Sequence, residues 1–176
     1  MKVINLFAGP GSGKSTTAAG LFYHMKLEGF SVELVTEYAK ELHYDGVSLA
    51  PDSANQLRIF HEQWKRIDRL VKHVEWAIVD SPLLFSYVYC PEADWLDKHV
   101  KPTFDMYDNY NFFLNRPHPD NVKYQPEGRY QDLEGALIID RNLKDLLYRL
   151  NVPYTEVGVS KNTIDIIIRH LNSTMK

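Results

Sequence analysis

The run Ala8-Gly9-Pro10-Gly11-Ser12-Gly13-Lys14-Ser15-Thr16 concentrates the chain's chemistry. A small residue, four positions and then Gly-Lys-Ser is the spacing of the P-loop, with Ala8 where glycine is usual. Glycines reach positive φ, so successive N–H groups can turn toward a single anion. A helix that starts directly after the loop points its N-terminus at the same anion. The predicted nucleotide contacts are therefore Gly9, Gly11, Ser12, Gly13, Lys14, Ser15 and Thr16. Lys14 would reach the β- and γ-phosphates of ATP, and the Ser15 hydroxyl would meet Mg²⁺. Thr16 would bond the α-phosphate.

A second carboxylate belongs with this loop. Trp76-Ala77-Ile78-Val79-Asp80 reads as an apolar strand that ends in an acid, and in P-loop proteins such an Asp holds Mg²⁺. Ser15 and Asp80 are the expected metal pair. Phosphoryl transfer to a hydroxyl needs a carboxylate to orient or deprotonate the acceptor, and cations for the moving charge. Glu37, just past the second strand, is the candidate carboxylate, with Glu41 one turn on as the weaker one; Asp80 is the alternative group for positioning the hydroxyl. Arg116 and Arg129 flank a proline-rich segment, about 116–130, placed where a lid would close, and are the candidate cations. For the acceptor, Gln63, Arg66 and Arg69 lie along one helix, and Phe85, Tyr87, Tyr89 and Trp95 could stack on a planar ring. The Val157–Ser160 loop is where adenine would meet backbone. His24, His43, His61 and His73 have no metal-ligand spacing.

Missing signatures narrow the class. No Asn-Lys-x-Asp guanine reader occurs, and Asp80 is followed by Ser81-Pro82-Leu83 rather than by the Asp-x-x-Gly of a GTPase. Ser81 also stands where motor ATPases place a Glu, and no Ser-Gly-Gly transporter signature is present. A small kinase remains, with two rivals: a kinase acting on a hydroxyl of DNA or RNA, and a regulatory nucleotide-binding ATPase.

Apolar strands alternating with helices must position these groups. Val3–Phe7, Ser31–Thr36, Val74–Val79, Asn111–Leu114 and Tyr154–Val157 read as strands. Lys14–Glu28, a helix capped by Ser53 and Gln56, a looser helical region over Ala93–Met106, Leu133–Leu150 and Thr163–Leu171 read as helices. In the capped helix, Leu57, Phe60, Trp64, Ile67 and Val71 form one apolar stripe. The stretch between the second strand and that helix reads as a polar loop. This alternation predicts an α/β fold, a parallel sheet covered on both faces, with ligands at the carboxyl ends of the strands.

Composition agrees. The 176 residues, 44% hydrophobic and 24% charged, suit one domain over 1–176. A net charge of -3 argues against a strongly basic nucleic-acid binder but permits a local groove. Cys90 is the sole cysteine, which excludes an intramolecular disulfide and fits a cytoplasmic setting. No run approaches the roughly 18 consecutive apolar residues of a membrane span, so no membrane partner is expected.

Taken together, Gly9–Thr16, Thr36-Glu37-Tyr38-Ala39-Lys40-Glu41, the strand ending in Asp80-Ser81-Pro82, and Glu127-Gly128-Arg129 resemble the small P-loop kinases related to the ribosylnicotinamide kinase domains of bacterial NAD-biosynthesis proteins. Lys40 stands where that group has Arg, and Glu127 where it has Asp. The resemblance implies a three-layer P-loop kinase fold with a five-stranded parallel sheet in the order 2-3-1-4-5. It also implies ATP and Mg²⁺ use, with Glu37 and Asp80 facing acceptor and metal. Related compact chains occur in bacteriophages, among them kinases of hydroxymethyl groups on modified DNA pyrimidines such as 5-hydroxymethyluracil; a phage member would work in the host cytoplasm. The expected reaction is transfer of the ATP γ-phosphate to a hydroxyl of a nucleoside- or nucleotide-like acceptor.

Overall fold

The computed structural model describes residues 1–47, 52–116 and 132–174. Strands β1 (Lys2–Phe7), β2 (Val32–Val35), β3 (Trp76–Val79), β4 (Asp108–Asn115) and β5 (Thr155–Gly158) form one sheet in the order β2-β3-β1-β4-β5. Every pairing is parallel, which is the predicted class and order. Helices α1 (Lys14–Leu27), α2 (Tyr38–Tyr44), α3 (Ser53–Asp68), α4 (Ser86–Tyr89), α5 (Lys101–Phe104) and α6 (Leu133–Arg149) lie in the crossovers, and α7 (Thr163–Thr174) follows the last strand.

Period-two alternation gives the sheet two buried faces. Val3, Phe7 and Phe113 join the core under α3 and α6, while Ile4, Leu6, Phe112 and Leu114 join the core under α1 and α7. Asn5 is the polar exception on β1. Its amide donates to Asn109 Oδ1 at 2.8 Å and Asn111 Oδ1 at 3.0 Å, and Asn111 donates to the Pro153 carbonyl at 3.0 Å. A one-residue slip of β1 against β4 would strand these amides in the opposite, apolar core.

Helix boundaries follow local chemistry. Gly29 at φ +82° ends α1, and Phe30 N–H bonds back to the Met25 carbonyl, the pattern of a left-handed C-terminal cap. The start of α3 corrects an expectation: Asp52, not Ser53, is its cap, accepting the Asn55 N–H at 2.8 Å. Ser53 Oγ instead accepts from Trp95 Nε1 at 2.9 Å. The stripe of α3 is also rotated. Gln56, Phe60, Gln63 and Ile67 are buried, whereas Leu57 is 42% exposed.

Two regions differ from the sequence reading more broadly. The polar stretch after β2 contains α2, a helix with only Leu42 buried, too little apolar periodicity to announce itself. The single helix expected over Ala93–Met106 is broken into a π turn (Leu96–Val100) followed by α5. Pro102, in the first turn of α5, has no N–H to return to the preceding turn, which favours a change of hydrogen-bond pattern there. No helix among the described residues is long and apolar enough to cross a membrane.

Candidate active site

Because all strands are parallel, the segments that follow them meet at one edge of the sheet. The phosphate loop follows β1. Gly11 sits at φ +76° and Gly13 at φ +95°, the latter as the residue preceding α1. These left-handed conformations strain any residue with a side chain. Lys14 is buried in the first turn of α1, with Nζ donating to the Gly9 carbonyl at 3.1 Å and lying 5.6 Å from the centre of the Phe85 ring. Burial is the main cause that pushes its pKa below the usual lysine value. The carboxylates of Asp80 and Glu37 oppose that shift, Arg116 reinforces it, and Asp140 opposes it more weakly. The groups that set the charge on Lys14 thus come from the ends of β3, β2 and β4 and from α6. Of the predicted catalytic residues, the structure gathers Lys14, Glu37, Asp80 and Arg116 around one point.

Asp80 is 4% exposed at the end of β3, where its N–H bonds to the Val35 carbonyl. Ser15 Oγ donates to Asp80 Oδ2 at 2.6 Å. The other oxygen, Oδ1, is buried without a hydrogen-bond partner, as is Ser12 Oγ in the loop. Buried oxygens rarely lack partners. A hydroxyl in contact with a carboxylate whose second oxygen is unsatisfied makes a hard-oxygen donor set, and it fits Mg²⁺. Among the described residues there is no group of three or more His, Cys, Asp or Glu side chains able to hold a metal by themselves.

Glu37 is the extended residue that precedes α2. Its backbone is clamped on both sides by a side chain from α3: Gln63 Oε1 accepts the Tyr38 N–H at 3.0 Å, and Gln63 Nε2 donates to the Thr36 carbonyl at 3.2 Å. Gln63, a candidate acceptor contact from its place on the helix, is instead committed to the backbone on either side of Glu37. Arg66 is likewise committed. Its two terminal nitrogens donate to Glu41 at 2.6 and 2.5 Å, and this pairing draws the Glu41 carboxyl below its usual pKa. Glu41 is therefore tied to α3, and Arg69 caps the end of that helix.

Arg116 follows β4, and its Nε donates to Asp140 Oδ2. The other Asp140 oxygen accepts the Gly9 N–H at 2.5 Å. Asp140 was not singled out from sequence; one acid on the flank of an amphipathic helix carries no distinguishing signal. Arg129 and the rest of the segment expected to form a lid lie outside the described residues. Phe85, Tyr87 and Trp95 are buried in the core under α3 and α6 rather than set out as a stacking platform, with Tyr89 partly buried against it. Tyr87 donates its hydroxyl to Asp97 at 2.8 Å. The Val157–Ser160 loop does adjoin the phosphate loop: a Cβ placed on Gly13 would lie 3.3 Å from Val159 Cγ1.

A family model described as an AAA domain matches residues 3–163. No curated protein matches the sequence. Among solved structures, the NadR protein in complex with NR is similar at a TM-score of 0.71 and 15% identity, covering 99% of this chain and 52% of that one. Thymidylate kinase from Ehrlichia chaffeensis is similar at 0.63 and 14% identity, over 99% and 98% of the two chains. Deoxyadenosine kinase from M. mycoides is similar at 0.62 and 18% identity, over 98% and 100%. At such identities the likeness establishes a P-loop kinase fold.

Proposed function

The chain belongs to this AAA-domain family, and from that premise we propose that it is an ATP-dependent kinase that transfers the γ-phosphate to a hydroxyl of a nucleoside- or nucleotide-like acceptor. The observation that carries this reading is the convergence of Lys14, Asp80, Glu37 and Arg116 at the mouth of one phosphate loop. The amides and Lys14 grip the triphosphate and hold it in line for attack. Ser15 and Asp80 are the residues that would hold Mg²⁺, whose charge, when bound, offsets the negative charge on the phosphate oxygens. Glu37 orients the acceptor hydroxyl and takes its proton as the new O–P bond forms and the bond from the γ-phosphorus to the bridging oxygen breaks, leaving ADP. Arg116, with Arg129, neutralises charge on the moving phosphoryl group.

Support for a nucleoside-like acceptor comes from the similar structures, which include a thymidylate kinase, a deoxyadenosine kinase and a protein bound to NR. The test is incubation with γ-labelled ATP, Mg²⁺ and a panel of nucleosides and nucleoside monophosphates. Label is expected in one acceptor class. Free phosphate released at the same rate with every acceptor, and no labelled product, would overturn the reading.

A further inference from the structure

We propose that Asp140 is a positioning residue: it holds Arg116 against the phosphate loop and so sets how strongly the site distinguishes a nucleoside triphosphate from a diphosphate. This rests on the phosphate-binding part of the reading above, but not on transfer to any acceptor.

The two oxygens of Asp140 do separate work. One takes the Gly9 N–H, in the first turn of the loop, and the other takes Arg116 Nε. A single carboxylate on α6 thereby ties the loop after β1 to the residue that follows β4. The pair is largely removed from water, with side-chain exposures of 12% for Arg116 and 15% for Asp140. Solvent and salt screen such a pair less than they screen a surface ion pair. Packing closes the arrangement: a Cβ on Gly9 would lie 2.5 Å from the Ala136 carbonyl, 3.0 Å from Arg116 Nη2 and 3.1 Å from Asp140 Oδ1. Loop, arginine and helix are in contact at that point, and only glycine leaves room for it.

Among the described residues, the arginine still has donors for an anion. Guanidinium carries five N–H groups in a planar fork. Asp140 uses the one on Nε, and the approach of Nη2 to the Ala136 carbonyl, at 3.5 Å, is long. Arg116 is also close enough to Lys14 to depress its pKa, so its charge bears on the same point as the lysine that reaches the outer phosphates. An arginine already oriented loses less side-chain freedom when it grips a phosphate than one that must be ordered by the ligand. Asp140 itself is held by α6, whose neighbouring Ile139 and Leu143 are buried in the core.

The experiment is calorimetric binding of Mg-ATP and Mg-ADP to the whole chain and to D140N, R116Q and the double variant. The wild type is expected to prefer ATP. D140N should reduce that preference about 5-fold or more, R116Q should reduce it at least as far, and the double variant should do no worse than R116Q. Three results would overturn the proposal: an unchanged preference in D140N, a tighter grip on ATP in D140N (the carboxylate then competes for Arg116 rather than aiming it), or losses that multiply in the double variant. Should D140N melt well below R116Q, Asp140→Glu carries the test instead. It keeps the charge on a longer arm and must retain most of the preference; loss there sinks the idea. A chain that passes these tests yet labels no acceptor would sink the kinase reading alone.

Discussion

The phosphate loop and the Thr36–Tyr38 corner face each other at one edge of the sheet, and they are held by opposite means. The loop is shaped by its own short sequence: glycines at positive φ turn its amides, and Lys14 bonds back to the Gly9 carbonyl five residues earlier. The corner has no such local device. Glu37 is set by Gln63, which bonds Tyr38 and Thr36 from 25 and 27 residues away. Arg66 locks Glu41 from a similar distance. The difference suits the proposed tasks. A phosphate tail is common to all nucleotides and can be gripped by backbone, whereas an acceptor-side carboxylate must be aimed, and only side chains from a second element can adjust that aim.

The comparison can be broken at its strongest point first. Lys14→Ala removes the loop's one charged side chain and should lower phosphoryl transfer by about 10³-fold, measured with the acceptor found in the labelling panel. A variant that keeps full activity would dissolve the loop's assigned role. Glu37→Gln should lower turnover by about 10²-fold while leaving ATP affinity in place, because Glu37 belongs to the corner. Equal losses of turnover and ATP binding would show that the two regions are not separable.

Smaller effects sharpen the contrast between local and distant support. Gln63→Leu strands the Tyr38 N–H and the Thr36 carbonyl, at a cost of about 1–3 kcal/mol in denaturant melts, and it should lower turnover more than it weakens ATP binding. Were Gln63 an acceptor contact instead, KM for the acceptor would rise with turnover unchanged. Gly13→Ala forces a side chain into φ +95° and should cost about 1–3 kcal/mol, with ATP affinity falling alongside.

The gentlest probe is pH. Burial lowers the Lys14 pKa from the ordinary 10.5, so its charge is lost in the folded chain before it is lost in the unfolded one. Between the depressed value and 10.5, raising pH removes a buried charge from the native state alone. The contribution of Lys14 to stability therefore rises with pH there, while ATP affinity falls because the gripping charge is gone. Titrations of both quantities in wild type and Lys14→Ala isolate this term: the opposite trends should vanish in the variant.

Much of the frame was legible before any coordinates. Strand positions agree to within a few residues because buried parallel strands are short apolar runs between turn residues, and β1 and β3 are of that kind. The α3 face was misjudged because Gln56 and Gln63 occupy buried positions where apolar residues were expected. A buried glutamine looks like a surface one until its partners are known. Tyr38–Tyr44 escaped notice because a helix held by one buried leucine and an ion pair to α3 has no periodic pattern to read.

The line between the two sources of information follows contact distance. Glycine spacing, the adjacent lysine and hydroxyl, and an acid after an apolar strand are properties of consecutive residues. Backbone sterics translate them directly into a phosphate-binding turn with Asp80 within reach of its hydroxyl. What no reading of the chain contained is the pairing of Gln63 with the backbone around Glu37, of Arg66 with Glu41, and of Asp140 with both Gly9 and Arg116. Those pairs span 24 to 131 residues. Sequence supplies many equivalent glutamines, arginines and acids, and only close packing of particular helices on the sheet selects which of them meet.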